Sequence, residues 1–173
     1  MMTITPIRFR FIYLLLAAAV LSFVAGCAGP GKSSTSQASR KAIVVDPAQR
    51  TEVVLTAMAL LESNYKYGGT HPVNGFDCSG LVAYVFENAA SQRLPHNTAD
   101  IAGLSRQISK KQLKAGDFVF FNTLNRPFSH MGIYIGEGRF INAPSTGGQV
   151  RIDSLKNPYY EKRFESARTL FGS

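Results

Sequence analysis

The chain has 173 residues, 45% of them hydrophobic and 17% charged, the balance of an ordinary globular domain. It carries 19 Lys and Arg against 11 Asp and Glu, a net charge of +8, which favours anionic partners such as lipid headgroups or acidic polymers. No basic–aromatic motif accompanies that charge, so no nucleic-acid partner is expected.

Residues 1–26 read as an export signal. Arg8 and Arg10 give a basic start, and residues 11–24 are apolar apart from Ser22. That run spans about 21 Å as a helix, short of the roughly 30 Å core of a bilayer, and suits a secretory signal better than a membrane span. Residues 24–27, Val-Ala-Gly-Cys, resemble the lipobox of bacterial lipoproteins. On that resemblance Cys27 becomes the acylated N-terminus, and Ala28, in place of an inner-membrane retention aspartate, points to the outer membrane facing the periplasm. Without Arg8 and Arg10 the mature chain keeps 17 basic and 11 acidic residues, a net +6. With Cys27 lipidated, Cys78 has no partner left, and a lone thiol in an oxidising compartment is a liability unless it is used.

Residues 27–46 form a Ser- and Gly-bearing tether, and residues 47–173 a single domain. Asp46-Pro47 is an N-cap with a first-turn proline. Val54, Met58, Leu61 and Tyr65 then recur at helical spacing, which predicts a helix over 47–64. A glycine-bearing loop leads to a second helix over 78–90, opened by Asp77 as N-cap. Asn97 caps a short helix within 97–105. Beyond Gly116 the pattern turns to strands over 117–122, 130–136, 139–143, 149–153 and 164–170, separated by Gly, Pro, Asn and Ser. Helices followed by antiparallel strands predict the α+β class.

Cys78 opens the second helix and shares its inward face with Val82 and Val85. The N–H groups of a first turn favour a thiolate and can stabilise an oxyanion beside the sulfur. Of the histidines, His71 and His96 read as surface. His130 heads a strand in which it alternates with Gly132 and Tyr134, while Met131, Ile133 and Ile135 take the other face. A three-residue loop at Gly136-Glu137-Gly138 sets Ile135 opposite Arg139 and Gly132 opposite Asn142. Asn142 then lies on the face of His130, diagonal to it; a one-residue slip would turn it away. A thiol, an imidazole and a carboxamide that orients the ring follow the logic of a cysteine-peptidase triad. The histidines lack ligand spacing, one free Cys makes no zinc site, and "YGGT" lacks a phosphate-loop lysine. No metal or cofactor is expected.

Three blocks, "YKYGGTHPVNGFDCSGLVAYVF", "LKAGDFVFFN" and "SHMGIYIGEGRFINA", together resemble the NlpC family of bacterial cell-wall cysteine peptidases, over about residues 48–170. The resemblance implies a papain-like fold, with the nucleophile helix packed on a central antiparallel sheet. It also implies hydrolysis of peptide bonds in the stem peptides or cross-links of peptidoglycan. Carried over by position, Cys78 is the nucleophile, His130 the general base, and Tyr67 the glycine-loop tyrosine near the oxyanion site. Asp77 and Ser79 match polar positions that bind the stem peptide, and Asp117 reads as a turn residue. Two positions depart from the family pattern. Asn142 stands where a histidine is usual, and His96 follows Leu-Pro where an arginine is usual. A non-catalytic wall-binding or scaffold lipoprotein on the same fold is the alternative they raise.

Overall fold

Asp46 caps the first helical turn, accepting from Ala48 N at 2.8 Å. A 3-10 turn (Pro47–Gln49) leads into α1 (Arg50–Met58). The computed structural model describes residues 43–146 and 148–172; the expected signal, Cys27 and most of the tether lie outside them. Among the described residues no helix is long and apolar enough to cross a membrane.

The first helix stops at Met58 rather than near residue 64. Glu62 takes a left-handed φ of 68°, and the chain beyond it pairs with other segments. Glu62 N donates to Val150 O, Val150 N to Ser63 O, and Phe76 N to Asn64 O. Those bonds satisfy the backbone better than a further exposed turn. The buried residues of α1 are Val53 and Ala57, followed by Leu60 in the turn beyond it, one residue out of phase with the expected Val54, Met58 and Leu61. The tether boundary also shifts: Val45 is buried and bridges Phe171.

The remaining elements are β1 (Thr70–His71), β2 (Gly75–Phe76), α2 (Cys78–Ala90), α3 (Thr98–Leu104), β3 (Arg106–Ile108), a second 3-10 turn (Lys110–Gln112), β4 (Phe118–Phe121), β5 (His130–Gly136), β6 (Arg139–Asn142), β7 (Arg151–Ser154), α4 (Pro158–Glu161) and β8 (Phe164–Thr169). The β1/β2 hairpin, β3 and α4 are unanticipated. β7 begins at Arg151 because Gln149 and Val150 serve Asn64 and Ser63 instead. The main sheet is antiparallel throughout, in the order β3-β8-β4-β5-β6-β7. This is the α+β architecture expected, with α2 packed on the sheet.

Alternation along β4, β5 and β6 divides the core between the two sheet faces. Phe118, Phe120, Met131, Ile133 and Ile141 face Val82, Val85 and Phe86 of α2. Val119, Phe121 and Phe140 face Leu155 and Tyr160. Each such side chain contributes about 1.5–3 kcal/mol on burial. Asp117 is more than a turn residue. It is buried, caps Lys114 N at 2.8 Å, pairs with Arg50 Nη1 at 2.9 Å and accepts from Thr169 Oγ1 at 2.6 Å, tying α1 to the end of β8.

The β5/β6 hairpin closes differently from expectation. Glu137 and Gly138 both have positive φ, the signature of a two-residue turn. Gly136, not Ile135, pairs with Arg139, and an irregularity absorbs the extra residue. Toward the site, the register is the one the longer loop implied, with Tyr134 opposite Phe140 and Ile133 opposite Ile141.

Candidate active site

Asp77 fixes how α2 begins. Its Oδ1 accepts from Gly80 N at 2.8 Å, the N-cap bond, and from Ser79 Oγ at 3.0 Å. The same oxygen lies 2.9 Å from His96 Nε2, and Oδ2 accepts from Gly68 N at 3.0 Å. The glycine loop thus clasps the helix start. A Cβ on Gly80 would stand 1.9 Å from Gly69 O, so only glycine fits there. His96 is therefore not the plain surface residue expected, since it is held against the cap. His71 is exposed, its ring edge on Tyr84.

Cys78 is half-buried. Burial first, and the Asp77 carboxylate second, push its thiol up to about 11, against backbone hydrogen bonding from Met131, Ser79 and Cys78. The first-turn amides do favour a thiolate, as expected of a helix start, but desolvation and the neighbouring carboxylate act against them.

Cys78 reaches the start of β5 from the α2 side, packing on the same core as Met131. His130 leaves from the other side, near the rings of Phe121 and Tyr160. Both line one groove, together with Tyr65, Tyr67, Asp77 and His96. Among the described residues no hydrogen bond joins Sγ to the ring; such contacts are commonly long before substrate binds.

The imidazole is oriented from behind. His130 Nε2 lies 2.9 Å from Asn142 Oδ1, and Asn142 is fully buried. Asn142 Nδ2 donates to Asp153 Oδ2 at 2.9 Å and to Arg151 O at 3.4 Å. A carboxylate only accepts, so the amide must turn its NH2 to Asp153 and its oxygen to the ring. Nε2 then carries the ring proton and Nδ1 is the bare nitrogen. Asp153 Oδ2 also accepts from Arg151 Nε at 2.9 Å and Tyr160 Oη at 3.2 Å. Burial lowers the pKa of His130 below its usual 6.5, and Arg151 lowers it further. The Asn142 hydrogen bond and Asp153 pull it back only in part. Tyr160 is raised by burial and then by Asp153, so it remains a protonated donor. A Cβ on Gly132 would meet Ile141 O and the Phe140 ring at 2.7 Å and Asn142 Cβ at 3.2 Å; its absence lets Asn142 close in beside His130.

The sequence-derived residues do not all converge. Ser79 is buried with its hydroxyl on Asp77. Tyr67 sits at the groove rim, 88% exposed. Tyr65 is the half-buried tyrosine, its pKa raised by burial, then Asp77, then Cys78. Sequence reading hid it as a continuation of the first helix. Arg151, Asp153 and Tyr160 were also missed. Asn157-Pro158 repeats the cap-plus-proline signature of Asp46-Pro47, and Asn157 does cap α4; that signal was available for the element that carries Tyr160. Among the described residues no group of three or more His, Cys, Asp or Glu stands together to hold a metal ion.

Comparison with known proteins bears on this geometry. The chain is 39% identical over 107 residues to murein DD-endopeptidase MepH of Escherichia coli, covering 60% of this chain and 40% of that protein. It is 33% identical over 126 residues to the "Probable endopeptidase" of Haemophilus influenzae, covering 69% of this chain and 78% of that one. The crystal structure of the NlpC/p60 domain of the peptidoglycan hydrolase SagA superposes with a TM-score of 0.61 at 28% identity, covering 69% of this chain and 97% of that one. The chain spans less than half the length of MepH. The NlpC/P60 family profile matches residues 62–169, a stretch that includes α2, the whole sheet and the His130–Asn142 pair, and the chain belongs to the NlpC/P60 family.

Proposed function

We propose that this protein is a cysteine peptidase that hydrolyses peptide bonds in peptidoglycan stem peptides or cross-links. Cys78 is the nucleophile, His130 the general base and Asn142 the residue that orients it. The observation that carries the reading is the 2.9 Å bond between buried Asn142 and His130, behind a ring that shares its groove with Cys78. A scaffold would have no use for a tautomer fixed in this way. The names of the relatives, murein DD-endopeptidase among them, support the substrate class. Cys27 is proposed as the lipid attachment site, with residues 27–46 tethering the domain to the outer membrane on its periplasmic side.

Thiol and imidazole are both neutral at rest, because burial disfavours charge on each. Nδ1 of His130 therefore takes the thiol proton as sulfur attacks the carbonyl carbon. The oxyanion develops beside the amides of Cys78 and Ser79, and Tyr65 is its side-chain donor. The imidazolium protonates the leaving amine, leaving an acyl-enzyme. Water, deprotonated by Nδ1, attacks the thioester, releases the acid and returns the proton to sulfur.

Digestion of purified peptidoglycan by the full chain tests this reading, since the product masses identify the bond cut; an intact wall after incubation with folded protein would defeat it. The neutral resting pair has its own signature. Alkylation of Cys78 by iodoacetamide is expected to rise with pH toward about 11 with no plateau near neutrality. The acid limb of kcat/KM should lie below pH 6.5, because the depressed pKa keeps the ring neutral there. A plateau from pH 5 upward would mean an ion pair instead. Tyr65→Phe is expected to lower kcat by about tenfold or more and Tyr67→Phe to leave kcat nearly unchanged; the reverse order would return the oxyanion role to Tyr67.

A further inference from the structure

A second cavity of about 210 Å³ opens on the far side of His130 from the cysteine groove. The two share Thr123, His130 and Ser145, so a chain passing the imidazole runs from one into the other. Pro144, Thr146, Arg151, Asn157, Tyr159 and Tyr160 complete its walls; among the described residues Arg151 is its one full cation and no carboxylate lines it. Arg151 is anchored without being used up. Its Nε donates to Asp153 Oδ2 at 2.9 Å and its Nη1 to Thr146 O at 2.8 Å, Tyr160 takes at most one donor more, and the side chain is 41% exposed. Asp153 Oδ2 is committed to Asn142, Arg151 and Tyr160, and the guanidinium it fixes presents its remaining donors to the cavity.

Cys78 forms the acyl bond, so the acyl side of the substrate occupies the groove that contains it. The leaving amine must lie against His130, which protonates it, and beyond His130 is this cavity. Resting on the peptidase reading above, we propose that the cavity is the subsite for the leaving-amine fragment and that Arg151 binds a carboxylate on that fragment. The enzyme then selects leaving groups that carry a free carboxylate over those carrying a carboxamide. A fork of donors held by Asp153 and a backbone carbonyl is preorganised for a planar anion.

The test uses stem peptides identical except that the leaving residue bears a free carboxylate or a carboxamide. The full chain is expected to favour the carboxylate in kcat/KM by about tenfold or more, the range for hydrogen bonds to a charged group. Arg151→Gln should bring that ratio close to one. A loss common to both peptides, from disturbance of Asp153, cancels in the ratio. Equal rates for the two peptides with the wild type, or a ratio that survives Arg151→Gln, would overturn the assignment. Binding to Cys78→Ala, measured by titration calorimetry, separates this subsite from the chemistry. Carboxylate-dependent binding lost in the double variant sustains the subsite even if no peptide is cleaved, an outcome that would count against the peptidase reading alone. Binding indifferent to the carboxylate overturns the subsite whatever the activity.

Discussion

Cys78→Ala is expected to lose peptidoglycan cleavage by a factor of at least about 10⁴, the scale seen when a nucleophile is removed from a triad that works as a unit. No neighbouring group can substitute. Ser79 Oγ is committed to Asp77, and Cys78 is the free thiol of the described domain. The variant should fold normally. The sulfur lies at the edge of the core, and the helix cap that starts α2 belongs to Asp77 and Gly80. The measurement is product mass from wall digests of the two full chains, with matching thermal unfolding to show that both are folded. Retained cleavage in Cys78→Ala would sink the assignment of Cys78 as the nucleophile.

Much of that site is legible in the amino-acid sequence because its members obey local rules. Asp77 before an apolar run marks a helix start, and that rule sets Cys78 at a first turn. Alternation around His130 and a glycine-bounded hairpin put Asn142 on its face. The inner register survives an error in the loop because a bulge between Tyr134 and Gly136 absorbs it. What sequence could not supply depends on long-range pairing. Tyr65 continues a helical period that the bonds from Glu62 and Ser63 to Val150 interrupt. Arg151 and Asp153 are ordinary alternating strand residues until β7 pairs with β6. His96 looks like surface because nothing local reveals that the Leu-Pro loop folds back to Asp77. The two-residue strands β1 and β2 leave no periodicity to read.

Asp153 is where the second large effect is expected. It touches neither thiol nor substrate groove, yet it decides which way Asn142 turns, and Asn142 decides which ring nitrogen of His130 is bare. Asp153→Ala removes the acceptor 2.9 Å from Asn142 Nδ2 and leaves the amide held only by the 3.4 Å bond to Arg151 O and by the Tyr160 hydroxyl at 3.1 Å, so that a flipped amide, its NH2 donating to Nε2, becomes populated. Nδ1 then carries the proton and cannot take another from the thiol. The expected loss is about a hundredfold in kcat with little change in KM, short of the roughly 10⁴ that follows when a triad is held wholly in the wrong tautomer. Asp153→Asn, whose side-chain oxygen can still accept from Asn142, should recover part of it. Nitrogen NMR of His130 supplies a readout that loss of packing alone would not move: one tautomer, protonated at Nε2, in the wild type, and a mixture in Asp153→Ala. If the ring stays in the Nε2–H form while kcat falls, Asp153 acts through Arg151 instead. The carboxylate-to-carboxamide ratio would then collapse along with kcat.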